Sequence, residues 1–283
     1  MQKFEEYLKS NIPSVDSFHP HYNSALNYII SNSGKHFRPR LLLSVVEAYE
    51  PLLLESSYKV AMALELFHTY SLIHDDLPCM DYSNLRRGKK TLHIIYDEAL
   101  ATLIGDALNT YAFELISTSA FRDDVKVELI KVLSINGGLS GMVLGQAIDL
   151  EFENRVLDLH QVEIMHINKT AKLIAASLVM GAIIVGLDSK TKKALYDFGL
   201  DLGLLFQVQD DILDVTKSSK EAGKPTNSDG DKNSFINILG VEESIEYANS
   251  LASRIKEKFL TFDKRLQASL KNILDKYLFR HKN

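Results

Sequence analysis

Apolar residues recur at helical spacing through most of the chain. The stretch RPRLLLSVVEAYE follows the i, i+3, i+4, i+7 pattern of one helix face, at Leu42, Val45, Val46 and Tyr49. Pro39 suits the first turn of that helix, where its missing N–H would be unsatisfied anyway. The same spacing recurs in the next stretch, at Ala61, Leu64, Glu65 and His68, and leads directly into a group of aspartates.

Signals for breaks and strands are sparse. No proline lies between Pro78 and Pro225, and a proline inside a helix costs about 3 kcal/mol, so this interval permits a succession of helices. No run of strict polar and apolar alternation is bounded by hairpin turns. We therefore predict an all-α fold, a single domain over residues 1–283 with about ten helices.

The longest apolar run is LIAASLVMGAIIVGL, Leu173 to Leu187. It is shorter than the roughly 20 residues that a membrane span needs, and its alanines and glycines would let neighbouring elements approach closely. We predict a buried core helix and no membrane span. The N-terminal stretch MQKFEEYLKSNIP has no long apolar segment and does not resemble a secretory signal.

Composition narrows the class of protein further. The chain is 46% hydrophobic and 24% charged, which is typical of a globular protein. A net charge of -5 argues against nucleic acid as a partner, since phosphate-backbone binding needs a dense basic face. Cys79 is the single cysteine, so no intrachain disulfide can form. These features predict a cytoplasmic protein.

Two acidic clusters follow strongly apolar residues. HDDLPCMD contains Asp75, Asp76 and Asp81, and FQVQDDILDV contains Asp210, Asp211 and Asp214. Like charges one turn apart destabilise a helix, so a cation is expected to offset them. Mg²⁺ takes oxygen ligands and is commonly held by carboxylates together with substrate phosphates. The two clusters together are predicted to hold one diphosphate through shared metal ions.

Basic residues near turns supply fixed positive charge for phosphate. GKHFRPR contains Lys35 and Arg38, and LRRGKKT contains Arg86 and Arg87 shortly after the first acidic cluster. Guanidinium groups bind phosphate oxygens in pairs, while lysine acts as a point charge. Surface exposure alone would explain any one of these residues, but their position beside turn glycines and aspartates favours a phosphate site.

These residues resemble the trans-isoprenyl diphosphate synthases, most closely the bacterial farnesyl diphosphate synthases. DDLPCMD is similar to the longer-spaced first aspartate-rich motif of that family, and DDILD to the second. The resemblance runs from GKHFRPR to the region of Lys232. It implies an all-α bundle around a large central cavity and a cytoplasmic homodimer. It also implies a prenyltransferase that condenses isopentenyl diphosphate with dimethylallyl or geranyl diphosphate, giving an all-trans product, farnesyl diphosphate.

The resemblance also implies a role for each site residue. The diphosphate of isopentenyl diphosphate would be held by Lys35, Arg38, His68 and Arg87. The allylic diphosphate would be held by Arg86, Lys169, Lys224 and Lys232. Two or three Mg²⁺ ions would be bound by Asp75, Asp76, Asp81, Asp210, Asp211 and Asp214. The reacting carbons would be lined by Lys169, Thr170 and Gln207.

Product length depends on the depth of the cavity. Tyr70 lies five residues before Asp75, a little over one helical turn, and in the resembling family an aromatic residue there goes with short products. This predicts fifteen carbons, with geranyl or geranylgeranyl diphosphate synthesis as alternatives; core packing would explain Tyr70 equally well. The family usually has more acidic residues where this chain has Tyr82, Ser83 and Asn84.

Other functions are compatible with parts of the sequence. Glu65 with His68, and Glu163 with His166, form two E-x-x-H pairs, as a ferritin-like di-iron bundle requires; that hypothesis leaves both aspartate clusters unexplained. A terpene cyclase or a non-catalytic partner subunit would share the fold, but a cyclase needs no second diphosphate site at Lys35 and Arg38.

A long polar segment, Thr216 to Ser234, interrupts the helical pattern late in the chain. Long loops inside compact domains are usually functional lids or disordered. Because the segment contains Lys224 and Lys232 beside Gly223 and Gly230, we predict a lid that closes on a bound phosphate.

Overall fold

The computed structural model describes residues 1–32, 34–216 and 233–282. These ranges confirm the predicted all-α class. The first α-helices are α1 Gln2–Ser10, α2 Tyr22–Ser31, α3 Phe37–Tyr49, α4 Leu54–Asp75, α5 Leu92–Ile95, α6 Glu98–Ser117 and α7 Asp123–Gly137. They are followed by α8 Met142–Glu151, α9 Leu159–His166, α10 Lys172–Ile184, α11 Ser189–Thr216, α12 Phe235–Leu239, α13 Val241–Thr261 and α14 Lys264–Tyr277.

Short irregular helices complete the description. A π-helical turn, Ile167–Ala171, joins α9 to α10, and 3₁₀ turns cover Pro51–Leu53 and Arg280–Lys282. The described ranges hold more helical segments than the ten or so predicted, partly because α5 and α12 are only four and five residues long. Segments this short have no full period to detect in a sequence.

The chain groups into two compact units. The first contains Met1–Arg40 and Glu55–Val127, and the second contains Leu41–Leu54 and Glu128–Asn283. The prediction of one domain around a central cavity therefore stays a prediction.

Helix α10 is the buried core helix that the apolar run predicted. Every residue from Leu173 to Ile184 is buried. A Cβ added at Gly181 would lie 2.6 Å from the Leu42 carbonyl oxygen, and one added at Gly199 on α11 would lie 2.5 Å from Ala175 Cα. Only glycine permits backbones to approach this closely, so the small residues of this region do bring helices together.

The turns around LRRGKK correct the expectation that the chain has no sheet. Leu85–Arg86 (β1) pairs antiparallel with Lys89–Lys90 (β2). The two residues between the strands, Arg87 and Gly88, both have positive φ, 54° and 74°, as a two-residue type I′ hairpin requires. Strands of two residues are too short to show alternation, which is why the sequence pattern missed them.

Two helical stretches are long and apolar enough to cross a membrane by length and composition. Asp123–Glu151 and Leu159–Ile184 both reach a mean hydropathy of 1.4 over 18 residues, and their windows are 33% and 78% buried inside the protein. The apolar run that begins at Leu173 thus belongs to a longer helical stretch. Its burial is that of a core helix.

Candidate active site

The first acidic cluster lies where α4 ends in the first unit. Helix α4 ends at Asp75, and the chain then turns so that the Asp81 N–H donates to the Asp75 carbonyl over 2.9 Å. Arg86, on β1, bridges two carboxylates: its Nε lies 2.7 Å from Asp76 Oδ1 and its Nη2 lies 3.2 Å from Asp75 Oδ2. The hairpin therefore delivers a fixed cation to the aspartates.

Asp76 is the buried carboxylate of this cluster whose pKa is raised. Only 4% of the residue is exposed. Burial raises the pKa of Asp76 to about 6, although the Arg86 guanidinium acts in the opposite direction. Like-charge repulsion from Asp75 and Asp81 contributes to this rise. A divalent cation would relieve this repulsion, so the oxygen donors fit Mg²⁺.

A basic cluster forms nearby in the same unit, from the turn before α3, the middle of α4 and the hairpin turn. Burial, with a smaller contribution from the Arg87 guanidinium, lowers the pKa of Arg38 to about 10, although the Glu65 carboxylate acts in the opposite direction. Burial, followed by the guanidinium charges of Arg38, Arg87 and Arg86, holds the pKa of His68 well below its usual range. A neutral imidazole and crowded guanidinium groups are suited to receive an anion.

Two nitrogen atoms of the basic cluster have no hydrogen-bond partner within the described part of the chain. Arg38 Nε and His68 Nδ1 are buried and have no hydrogen-bond partner there. Buried polar atoms are nearly always paired in folded proteins. Arg38 also lies in the first turn of α3, where helix N–H groups favour anions. An unpaired guanidinium N–H beside a helix N-terminus, together with an unpaired imidazole nitrogen, is what a phosphate-binding pocket would present.

Gly34, in the segment GKHFRPR, lies in contact with Arg87 of the segment LRRGKKT. A Cβ added at Gly34 would lie 2.3 Å from Arg87 Cζ, so the guanidinium packs directly on the glycine backbone. The predicted residues Arg38, His68, Arg86 and Arg87 are thus gathered in one unit, and Lys35 lies exposed in the same turn.

Tyr70 is buried on α4, one turn before the aspartates. It is 6% exposed and meets Phe67 edge to face at 4.8 Å and His74 at 5.7 Å. Burial raises the pKa of the Tyr70 phenol to about 12. Phe113 on α6 extends this aromatic wall. The role of Tyr70 in product length stays a prediction.

The second acidic cluster lies in the last two turns of α11, in the second unit. Arg280 Nη2 lies 2.6 Å from Asp210 Oδ1, and its guanidinium stacks 4.3 Å above the Phe206 ring. Asp211 accepts hydrogen bonds from Gln207 Nε2 and from the Phe235 N–H, each at 2.9 Å. Each acidic cluster is therefore matched by an arginine of its own unit.

Gln207 links that cluster to the π-helical turn. Thr170 Oγ1 donates to Gln207 Oε1 over 3.3 Å, which leaves the Gln207 amide N–H to bond Asp211. The predicted lining residues Thr170 and Gln207 are thus in contact.

Lys169 is held by a partner that the sequence did not reveal. Its Nζ lies 2.5 Å from Asp149 Oδ2 on α8. A Cβ added at Gly145, one turn earlier on α8, would lie 2.1 Å from Lys169 N. Gly145 therefore lets the π-helical turn approach α8 closely enough for the ion pair. π-helical turns occur frequently at functional sites.

Asp149 and Arg280 are the site residues that sequence reasoning missed. Asp149 stands in GQAIDLE and Arg280 in the C-terminal LFRHK, and neither is adjacent to a predicted motif. The predicted phosphate ligands Lys224 and Lys232, and most of the predicted lid, lie outside the described residues. The prediction that both acidic clusters hold one diphosphate stays a prediction, since each belongs to a different unit.

In the di-iron alternative, Glu163 is hydrogen-bonded elsewhere and His166 is stacked on an aromatic ring. Glu163 accepts a hydrogen bond from the Tyr247 hydroxyl, and His166 stacks on Phe235 at 5.3 Å. Within residues 1–32, 34–216 and 233–282, no three His, Cys, Asp or Glu side chains form a ready metal site. A Mg²⁺ site does not need three such side chains close together, because Mg²⁺ keeps several waters and takes substrate phosphate as ligand, unlike iron in a four-carboxylate cage.

Comparison with known proteins agrees with this chemistry. The family model described as Polyprenyl synthetase matches residues 19–273. Farnesyl diphosphate synthase of Micrococcus luteus is 37% identical over 273 residues, covering 95% of this chain and 93% of the relative. A chloroplastic geranylgeranyl pyrophosphate synthase of Capsicum annuum is 41% identical over 267 residues, covering 92% of this chain and 72% of the relative.

A solved structure is more similar still. The crystal structure of a Helicobacter pylori geranyltransferase complexed with magnesium and isoprenyl diphosphate has a TM-score of 0.93 and 47% sequence identity. The alignment covers 97% of this chain and 93% of that chain.

Proposed function

Because the chain belongs to the polyprenyl synthetase family, we propose that it condenses isopentenyl diphosphate with dimethylallyl or geranyl diphosphate to form farnesyl diphosphate. The observation that carries this proposal is the basic cluster of the first unit. Arg38 and His68 each present a buried nitrogen without a partner among the described residues, beside the Arg87 guanidinium, and none of the three requires a metal ion to bind phosphate. A cyclase would need only one diphosphate site, whereas a condensing enzyme needs a second, and this cluster supplies it.

Each part of the site has a role in the proposed reaction. Lys35, Arg38, His68 and Arg87 would bind the diphosphate of the nucleophilic substrate. Arg86, Lys169, Lys224 and Lys232 would bind that of the allylic substrate. Positive side chains at these positions stabilise the charge that grows on the leaving diphosphate as its C–O bond breaks.

Mg²⁺ is the metal that the donor set fits. The ligands would be Asp75, Asp76, Asp81, Asp210, Asp211 and Asp214, for two or three ions in each active site. When bound, Mg²⁺ supplies Lewis-acid neutralisation of diphosphate charge. Arg86 and Arg280, which pair with these carboxylates, would then be released toward the phosphate oxygens.

Residues around the reacting carbons protect the allylic cation. The side-chain oxygens of Thr170 and Gln207 face one another at 3.3 Å, and their dipoles would stabilise positive charge on carbon. Apolar walls exclude water that would quench the cation. The double bond of isopentenyl diphosphate forms the new C–C bond, and the departing proton passes to the released diphosphate.

Tyr70 would end the cavity at fifteen carbons. Its burial and its edge contacts with Phe67 and His74 fix the ring in place. Both farnesyl and geranylgeranyl synthases occur among the relatives. Geranylgeranyl diphosphate and geranyl diphosphate are the alternative products.

The proposed enzyme is a cytoplasmic homodimer without a membrane span. Leu103 on α6 is 59% exposed, and a second copy would cover such a residue. Sedimentation of the purified protein as a monomer would contradict the dimer.

A product assay tests the proposed function. The protein is incubated with geranyl diphosphate, isopentenyl diphosphate and Mg²⁺, and diphosphate release and prenyl products are followed. We expect farnesyl diphosphate, with no release when isopentenyl diphosphate is omitted and none in EDTA. Diphosphate release from geranyl diphosphate alone would indicate a cyclase, and absence of any condensation would contradict the proposal.

A further inference from the structure

Glu65 is a buried carboxylate that the proposed reaction does not use. It lies in the middle of α4, one turn before His68, and only 2% of the residue is exposed. Burying a carboxylate is costly unless cations or strong donors surround it. Its presence in the core of the first unit therefore calls for a function.

Three groups lie around the Glu65 carboxylate. His36 Nδ1 lies 3.1 Å from Glu65 Oε1, a close polar contact without hydrogen-bond geometry. Glu65 also acts electrostatically on Arg38 and Arg87, stabilising their charged forms against the pKa lowering caused by burial. The carboxylate is thus the internal counter-charge of the same guanidinium groups that would bind a diphosphate.

The backbone at His36 is fixed in an uncommon conformation. Its φ is 49°, in the left-handed region that side chains other than glycine rarely adopt. Phe4 of α1 packs edge-on against the imidazole at 5.7 Å, and Phe4 itself meets Tyr58 at 5.9 Å. Such conformations persist only where the surroundings over-determine them. His36 directly separates Lys35 from the first turn of α3, so this conformation sets the direction of both.

We propose that Glu65 is a positioning residue for isopentenyl diphosphate, and this inference rests on the proposed function. Through His36 it fixes the GKHFR turn, and through its charge it keeps Arg38 and Arg87 together before the ligand arrives. Without it, the two guanidinium groups would repel one another and separate. Preorganised groups bind more tightly because less order is lost on binding.

A positioning role for Glu65 predicts both the direction and the size of the change in isopentenyl diphosphate binding when its charge is removed. Glu65→Gln keeps the shape of the side chain and removes its charge. If Glu65 only repelled the bound diphosphate, removing that charge would strengthen binding. If it positions the arginines, binding of isopentenyl diphosphate weakens, by roughly tenfold for one charge-assisted interaction.

Binding and kinetics together provide the test. Isopentenyl diphosphate is titrated calorimetrically into the protein in EDTA, and KM is measured for both substrates. We expect Glu65→Gln to raise the dissociation constant and the KM for isopentenyl diphosphate, with KM for geranyl diphosphate unchanged. Glu65→Asp, which keeps the charge, should recover part of the loss. Glu55→Gln, an exposed carboxylate on the same helix, is the matched control.

Other outcomes would overturn the inference. Unchanged or tighter binding in Glu65→Gln refutes positioning, and an equal rise in both KM values makes Glu65 a general structural residue. If Glu65→Gln does not fold, His36→Asn, which tolerates a positive φ, must raise the KM for isopentenyl diphosphate alone. Failure of the unaltered protein to bind isopentenyl diphosphate or form product refutes the proposed function instead.

Discussion

Gly34→Ala tests how the basic cluster is assembled. Gly34 has no side chain, and the Arg87 guanidinium packs against its backbone. The new methyl group would stand 2.3 Å from Arg87 Cζ. Carbon atoms in contact prefer about 3.5 Å or more. The guanidinium must therefore shift by about 1.2 Å or more.

The expected cost falls on binding rather than on stability. The Arg87 guanidinium lies against Gly34, but the residue as a whole is exposed and its side chain is long, so its end can move without disturbing the core. Alanine in place of glycine also reduces the entropy of the unfolded chain. Loss of a charge-assisted hydrogen bond costs about 1.5–3 kcal/mol. At about 1.4 kcal/mol per factor of ten, KM for isopentenyl diphosphate should rise at least tenfold.

Steady-state kinetics of a double-mutant cycle tests whether Gly34→Ala acts through Arg87. Gly34→Ala, Arg87→Ala and the double variant are compared, with melting temperature as a control for folding. If the methyl group acts through Arg87, the glycine change has no further effect in the Arg87→Ala background. Additive losses, or an unchanged KM in Gly34→Ala, would refute the reasoning.

Three further changes probe other parts of the site. Tyr70→Ala should lengthen the product toward twenty carbons and lower the free energy of unfolding by about 3–5 kcal/mol; an unchanged product distribution removes Tyr70 as the end of the cavity. Burial raises the pKa of Asp76 to about 6, so the metal-free folded state binds the Asp76 proton more tightly than the unfolded state and loses stability as pH rises through that value. The melting temperature of Asp76→Asn minus that of the unaltered protein is a difference that should therefore increase from about pH 4.5 to about pH 7. A constant difference would contradict this. Asp149→Ala frees Lys169 Nζ from its 2.5 Å ion pair and should raise KM for geranyl diphosphate but not for isopentenyl diphosphate; equal changes would make Asp149 a folding residue.

Local patterns were sufficient to predict the helices that carry the site. The spacing of apolar residues predicted that a helix leads into Asp75, and α4 ends at that residue. The apolar run beginning at Leu173 predicted a buried helix, and its glycine at 181 does touch a neighbouring backbone. These features depend on periodicity and residue size, which a sequence displays directly.

Long-range partners could not be predicted in the same way. Arg280 meets Asp210 across 70 residues of sequence, and Lys169 meets Asp149 across 20. Nothing in the spacing of those residues signals the contacts, since they arise from how α8 and the C-terminal turn pack. The hairpin at Arg87 and Gly88 was missed for a related reason: its turn lacks the Asn-Gly or Asp-Gly pair that usually marks a type I′ turn.

The π-helical turn makes the length of one segment as important as its composition. The Lys172 N–H bonds Ile167 O, five residues back, so the turn holds one residue more than an α-helix would. Deleting a single residue there would restore regular winding and rotate α9 by about 100° relative to α10. Lys169 would then face away from α8, and a homologue shortened by one position here would need another way to orient its lysine.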